Sequence, residues 1–185
     1  MFKYIVDNDI ELKLPNKQDA ERFYKLIDNS REHLKRWLPW VIETKSVDDI
    51  MSFIEEAQRQ YVSDEGFKAI IIFKGKFAGL IGYYNVDKSR GAVSIGYWLG
   101  QEYQGKGIMT KALKVFLDYG FKEMELNKIE ITIAEENLKS RALPKKYGFT
   151  EEGIIRDAEW LNDRYVNHIL YGLLKREWIG KKREA

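Results

Sequence analysis

Residues 98–113 read WLGQEYQGKGIMTKAL, and the fold turns on how their glycines are used. Gly100, Gly105 and Lys106 fit the first seven positions of the nucleotide-binding pattern GxxxxGK[ST]. Gly107 then stands where a Ser or Thr hydroxyl must reach Mg²⁺, and Thr110 comes three residues too late. A P-loop also follows an early strand of a parallel sheet, with further βα units behind it. Here three β-rich runs, FKAIIIF, FAGLIGYYNV and AVSIGYWLG, precede the loop, and their short links KGK and DKSRG predict an antiparallel meander. Two glycines ahead of a helix still make an anion site, because backbone N–H groups unobstructed by Cβ atoms can point at the ligand. The stretch reads as a phosphate cradle of another kind.

Upstream, IELKLP (10–15) predicts a first strand, and Asn16 with Asp19 marks a helix start followed by Ala20, Phe23, Tyr24 and Ile27. REHLKRWLPW (31–40) predicts a short helix stopped near Pro39. Ser46 with Asp49 opens another, whose face is Val47, Ile50, Met51, Ile54 and Tyr61. Downstream of the loop comes a helix with Met109, Ala112, Leu113 and Phe116 on one face. KIEITIA (128–134) alternates as a strand, a second helix begins near Asn137, and closing strands fall at roughly 149–157 and 164–174. Pro144 cannot donate to the Ser140 carbonyl, which predicts a kink or an irregular end there.

A chain of 185 residues, 44% hydrophobic and 14% aromatic, suits one domain with a substantial core. Thirty-one basic against 29 acidic residues leave a net charge of +2, which gives no footprint for nucleic acid or an anionic membrane. The apolar run AIIIF (69–73) is far below membrane-spanning length, and MFKYIVDND lacks a signal-peptide core. The absence of cysteine excludes disulfides, thiolate metal sites and a thiol nucleophile, and only His33 and His168 offer an imidazole. The expectation is a cytoplasmic, metal-free protein, with residues 1–178 as the domain and 179–185 as a solvated basic tail.

Read from Gln104, QGKGIM resembles the Q/R-x-x-G-x-G/A pyrophosphate loop of the GCN5-related N-acetyltransferases (GNAT), with Met109 at the last position. Downstream, ENLKSRALPKKYGF resembles that family's second signature at Asn137, Ser140, Tyr147, Gly148 and Phe149. The order of elements also matches the family's β-α-α-β-β-β-α-β-α-β-β plan across nearly the whole chain. LKRWLPWV, IGYWLG, YGFTEEGIIRDAEW and HILYGLL carry a narrower resemblance to the RimJ/RimL type, which modifies the N-termini of ribosomal proteins. The resemblance implies an α/β (α+β) single domain. Its mixed central sheet has about seven strands, splays between strands 4 and 5 (ending at Leu99 and Ala134), and is flanked by helices.

For acetyl-coenzyme A, bound without metal, the resemblance implies contacts from Gln104, Gly105, Lys106, Gly107, Ile108, Met109 and Thr110. It adds Trp98 and Leu99, at a bulge whose freed N–H groups would meet the cofactor and the thioester carbonyl, with Gly100 keeping the strand end open. It adds Asn137, Ser140 and Tyr147 as well. Asn137 reads locally as an N-cap, and the two roles can coexist. Ser140 is either an ordinary first-turn residue or the acid that donates to the leaving thiolate, which the helix dipole favours. Many relatives carry a glutamate where this chain has Ser94, so Glu159 is nominated as base, against the alternative of a solvent-exposed turn carboxylate. Trp37, Trp40 and Tyr103 are read as walls of an acceptor pocket or as core, with Ser94 and His168 added to the pocket.

The expected activity is direct acetyl transfer to a primary amine, since no cysteine can carry the acetyl group. The favoured acceptor is a protein or peptide N-terminus. An α-amine titrates near 7.7–8.0 against about 10.4 for lysine, so it tolerates a weak base better. A polyamine, an aminoglycoside or a free amino acid derivative stays open, as does a homodimer. A non-catalytic acyl-coenzyme A binding module is the alternative that Ser94 and Met109 keep alive.

Overall fold

The computed structural model describes residues 3–180. Its first elements are β1 (Lys3–Ile5), β2 (Ile10–Lys13), a 3-10 turn at Lys17–Asp19, α1 (Ala20–Asn29), α2 (Arg31–Leu34), α3 (Trp40–Glu43) and α4 (Val47–Val62). β3 (Phe67–Phe73), β4 (Lys76–Asp87) and β5 (Ala92–Leu99) follow, then a second 3-10 turn at Gln101–Tyr103 and α5 (Ile108–Lys122). The chain continues through β6 (Lys128–Ala134), α6 (Leu138–Lys146), β7 (Thr150–Leu161), β8 (Arg164–Leu174) and α7 (Lys175–Gly180). The strands form one mixed sheet in the order β1-β2-β3-β4-β5-β6-β8-β7. The eighth strand, beyond the seven or so expected, is β1, three exposed residues paired antiparallel to β2. Two further elements had no clear sequence signal, α3 and α7. The expected tail at 179–185 begins inside α7 and from 181 lies outside the described residues.

β5 and β6 run parallel, and their ladder holds Ala92–Lys128, Val93–Ile129 and Ser94–Glu130. It stops there, although β5 continues to Leu99 and β6 to Ala134. This early end is the parting expected between those two strands.

Contacts divide the chain into two compact units, one up to Tyr83 with Tyr97–Leu113 and one of Tyr84–Gly96 with Lys114 onward. In the first, α1 buries Ala20, Phe23, Leu26 and Ile27, the helical spacing of its apolar residues. Removing Phe23 from water is worth about 2–3 kcal/mol, and its ring lies 5.5 Å from Trp98 and 6.1 Å from Phe53. α4 begins at a reciprocal cap, the Asp49 N–H donating to Ser46 Oγ (3.3 Å) and the Ser46 N–H to the Asp49 carboxylate (2.8 Å). It buries Ile50, Ile54 and Ala57. Tyr61, expected on that face, is 46% exposed: it stands in the last turn of α4, with its ring 5.8 Å from that of Phe67.

In the second unit the antiparallel ladder from Lys128–Leu174 to Ala134–His168 is unbroken. Alternation therefore puts Ile129, Ile131 and Ile133 with Leu173, Tyr171 and Ile169 on one buried face, and Glu130, Thr132 and Ala134 with Gly172, Leu170 and His168 on the other. α6 covers the first face, where Arg141 Nε donates to the Tyr171 hydroxyl at 2.8 Å. α6 does not end at Pro144 but continues to Lys146. It closes in a Schellman turn, Phe149 N–H to Pro144 O (3.0 Å) and Gly148 N–H to Lys145 O (3.1 Å), with Gly148 at φ +72°. β7 runs to Leu161, past the expected end near 157, because the polar run RDAEW hides a bulge rather than a turn.

Two glycines sit against neighbours of opposite kind. A Cβ on Gly79 would lie 2.1 Å from the Trp98 carbonyl oxygen, a backbone atom, whereas one on Gly172 would meet Glu152 Oε1 at 2.2 Å, the end of a flexible side chain. Gly79→Ala should therefore destabilise the chain by about 3 kcal/mol, as overpacking against backbone does. Gly172→Ala should cost less than about 1 kcal/mol, since the carboxylate swings aside. Urea unfolding of both variants checks the difference, and equal midpoints would refute it.

Candidate active site

The candidate residues divide between the two units. In the first, β5 ends against α1. Gly100 has no Cβ to strike Leu26 Cδ1 or Ser30 Oγ, at 2.7 and 3.0 Å, and its N–H donates to Ala78 O at 2.8 Å. Gly100 thus serves close packing, and its amide is engaged rather than available to a ligand. The next turn is tied to the same corner by the Gln101 N–H donating to the buried Ser30 hydroxyl at 3.1 Å. Gln104 then meets the His33 ring of α2 side chain to side chain.

Gly105 and Gly107 both take φ +72°, a conformation costly to any residue with a Cβ. An ideal Cβ on either would find no protein atom within 4 Å. Packing does not demand glycine here; the backbone conformation does, and so does an open approach to the amides. α5 starts at Ile108, and the opening N–H groups of a helix have no acceptor within it. Ile108 and Met109 are buried, so their side chains feed the core and only their amides can serve a ligand. Lys106 brings the cation, its Nζ 5.7 Å over Tyr103 and 5.9 Å over Phe73. Bare amides, left-handed glycines and a cation in this arrangement can hold a phosphate or pyrophosphate.

In the second unit Asn137 caps α6, its Oδ1 accepting the Ser140 N–H at 3.2 Å. Ser140 is half-buried in the first turn, where the helix dipole favours an anion. Arg141 fixes that end: besides Tyr171, it donates to the Glu135 carbonyl at 2.7 Å and reaches Glu151 at 3.3 Å. These bonds, the one to Tyr171 first, hold its pKa above the usual guanidinium value. On the sheet face away from α6, Glu159 Oε2 lies 3.3 Å from His168 Nε2.

The acetyltransferase (GNAT) domain family matches residues 9–150. The chain belongs to the GNAT acetyltransferases. The "Putative ribosomal N-acetyltransferase YdaF" of Bacillus subtilis (strain 168) is 38% identical over 183 residues, 98% of this chain and 100% of its own. The ribosomal-protein-serine acetyltransferase of Escherichia coli (strain K12) is 28% identical over 171 residues, 90% of this chain and 93% of its own. The structure of the microcin C7 self-immunity acetyltransferase MccE, in complex with acetyl-CoA and AMP, superposes with a TM-score of 0.86 at 30% identity, covering 91% of this chain and 94% of that one. The chain is thus a GNAT N-acetyltransferase of the RimJ/RimL type.

Within that GNAT frame the expected residues have definite places. Gln104–Thr110 form one cradle in the first unit. Trp98 is buried between Phe23 and Trp40, at 5.5 and 5.8 Å, so its side chain is core and only its backbone can meet the coenzyme. Trp40 is 38% exposed over that ring, Trp37 is half-buried in the turn after α2, and Tyr103 is buried edge-on to Phe73 beneath the loop. Burial raises the Tyr103 phenol's pKa. Ser94 is half-buried opposite Glu130, while Tyr147 packs 5.9 Å from Trp178 of α7, burial raising its pKa too. Sequence reasoning passed over His33, whose meeting with Gln104 spans 71 positions, and Asn167, which pins the β7 bulge. The scarcity of histidine was the one signal for the first, and an asparagine inside the strand run VNHIL the one for the second.

Gly107→Val tests the cradle. Valine there places a branched side chain in a left-handed conformation, at about 1–3 kcal/mol of strain, and over the amides. Calorimetry on the folded variant should show acetyl-coenzyme A affinity down at least about tenfold; near-wild-type affinity would remove the site.

Proposed function

We propose that this chain acetylates the N-terminal α-amine of a ribosomal protein, taking acetyl directly from acetyl-coenzyme A. The observation that supports this most is similarity over 98% of the chain to a protein named for ribosomal N-acetylation. A site with its only nominated base outside the central strands fits an α-amine, which needs less help to lose a proton than lysine does.

Acetyl-coenzyme A supplies an acetyl group already activated as a thioester. The cradle suits its pyrophosphate: amides at Gly105–Met109 can donate, and the two glycines leave the approach open. Asn137 spends its oxygen on the Ser140 N–H, which leaves its amide nitrogen to donate to a pantetheine carbonyl. Capping and ligand binding therefore use different atoms of one side chain. Glu159 accepts the proton that the amine sheds, and the amine nitrogen bonds to the acetyl carbon as the C–S bond breaks. Ser140 donates to the departing sulfur. α6 stands on one face of β6 and β8 and Glu159 reaches His168 on the other, so acid and base serve opposite faces of the sheet.

The test is turnover, read as thiol release, on N-terminal peptides of ribosomal proteins beside spermidine and an aminoglycoside. The peptides should win in kcat/KM; preference for a polyamine would reassign the acceptor, and no turnover would make the chain an acyl-coenzyme A binding module. Ser140→Ala should lower kcat about 10²-fold with coenzyme affinity retained. Glu159→Gln should lose most at low pH and recover as pH passes the α-amine value of about 8. A loss by one constant factor at every pH would exclude Glu159 as base.

A further inference from the structure

Glu159 comes with a partner that its place in the sequence does not explain. An unbroken ladder beyond the Ile155–His168 pair would set Glu159 opposite Arg164, four residues along β8 from His168, or about 13 Å. Instead β7 bulges between Ile155 and Glu159, so that residues 156–158 face Asn167 alone and Glu159 pairs with Val166. Val166 and His168 share a face, and the carboxylate lands 3.3 Å from the ring. The bulge is built rather than loose. Asp157 adopts φ +49°, its N–H donates to Asn167 Oδ1 at 3.1 Å, and Asn167 Nδ2 donates to Glu135 at 3.1 Å.

The ring atom facing Glu159 is Nε2, buried and without a hydrogen bond. The pair is at ion-pair distance but off the hydrogen-bond line, a looseness common in acid–base sites before substrate arrives. Ala134 on β6 and Ile155 on β7 flank the ring in register, and of the carboxylates nearby Glu135 is engaged by Asn167 and Glu136 by Arg164 at 2.5 Å. Arg156 and Asp157 stand in the bulge opposite Asn167.

We propose that His168 is the positioning residue through which Glu159 works: its neutral imidazole, with the ring proton on Nδ1, keeps the Nε2 lone pair toward the carboxylate and receives through it the proton that leaves the amine. This rests on the acetyl-transfer reading above. A free carboxylate titrates near 4.3, about three and a half units below an α-amine, while a free imidazole near 6.5 closes more than half of that gap. The proton passes from the amine nitrogen to Glu159 and on to His168 Nε2, and the imidazolium then releases one to solvent. An imidazole already protonated cannot accept, so the relay works only with the neutral ring.

The test combines a mutant cycle with NMR of the histidine rings. His168→Gln should lower kcat about tenfold or more on the best peptide, with coenzyme affinity within twofold, and the Glu159→Gln/His168→Gln double variant should be no slower than Glu159→Gln alone. Additive losses, or His168→Gln within twofold of wild type at every pH, overturn the relay. The chain has two histidines, so His33→Gln identifies the His168 ring signals. Those signals should move in Glu159→Gln, because the carboxylate lies 3.3 Å from the ring; unmoved signals also overturn the proposal, even if His168 variants fail to fold. A wild type that turns over no amine removes the parent reading and the relay together, whereas turnover kept in His168→Gln removes the relay alone.

Discussion

The second unit depends on one residue, Glu135, at which three elements meet. Its carbonyl accepts from Arg141 at 2.7 Å, its N–H donates to Asn167 O at 2.9 Å, and its carboxylate accepts from Asn167 Nδ2 at 3.1 Å. Arg141 carries the connection into the first turns of α6, where Asn137 and Ser140 stand. Asn167 carries it into the bulge that sets Glu159 beside His168. Acid and base candidates on opposite faces of the sheet are thus held by one chain of hydrogen bonds. A guanidinium at 14% exposure would cost several kcal/mol unpaired, so the network constrains as well as connects.

The first unit solves a different problem with similar economy. A loop that leaves its amides bare gives up the bonds that would otherwise hold it. The constraint is moved to its edges. The Ser30 hydroxyl holds Gln101, His33 meets Gln104, and Lys111 pairs with Asp7 at 2.6 Å just inside α5. The hydrogen bond from Lys111, then that from the Asp9 N–H, holds the Asp7 carboxyl below its usual range. Gly105 and Gly107 lie between these anchors with nothing packed over them.

How much of this was legible in the sequence follows from the range of the interactions. The glycine loop, the cap at Asn137 and the alternation of β6 are local, and each was readable where it stands. Tyr61 was misplaced because periodicity gives a face but not where the covering sheet ends. β7 was cut short because RDAEW has turn-like polarity; its strand character comes from β8 pairing across a bulge that a side chain from position 167 completes. Glu159 was found by resemblance. Nothing local ties His168 to it, since contact between them needs a register shift that no local pattern carries.

The surroundings of Ser94 oppose a carboxylate at that position of β5. Ser94 stands directly opposite Glu130 in the parallel ladder, on the same face. Glu130 already shares Lys128 with Glu152, at 2.8 and 2.6 Å, and lies 3.4 Å from Arg90. Burial works against the Lys128 ammonium, but its bonds to the two glutamates win and raise its pKa above the usual lysine value. A glutamate at 94 would put a third carboxylate on one ammonium, directly across from a like charge, an arrangement that destabilises a sheet. The ion cluster at the base of the ladder thus opposes a further carboxylate on β5, whereas Glu159 of β7 lies on the same face as Glu130 and His168, and the bulge brings it along the strand to the ring.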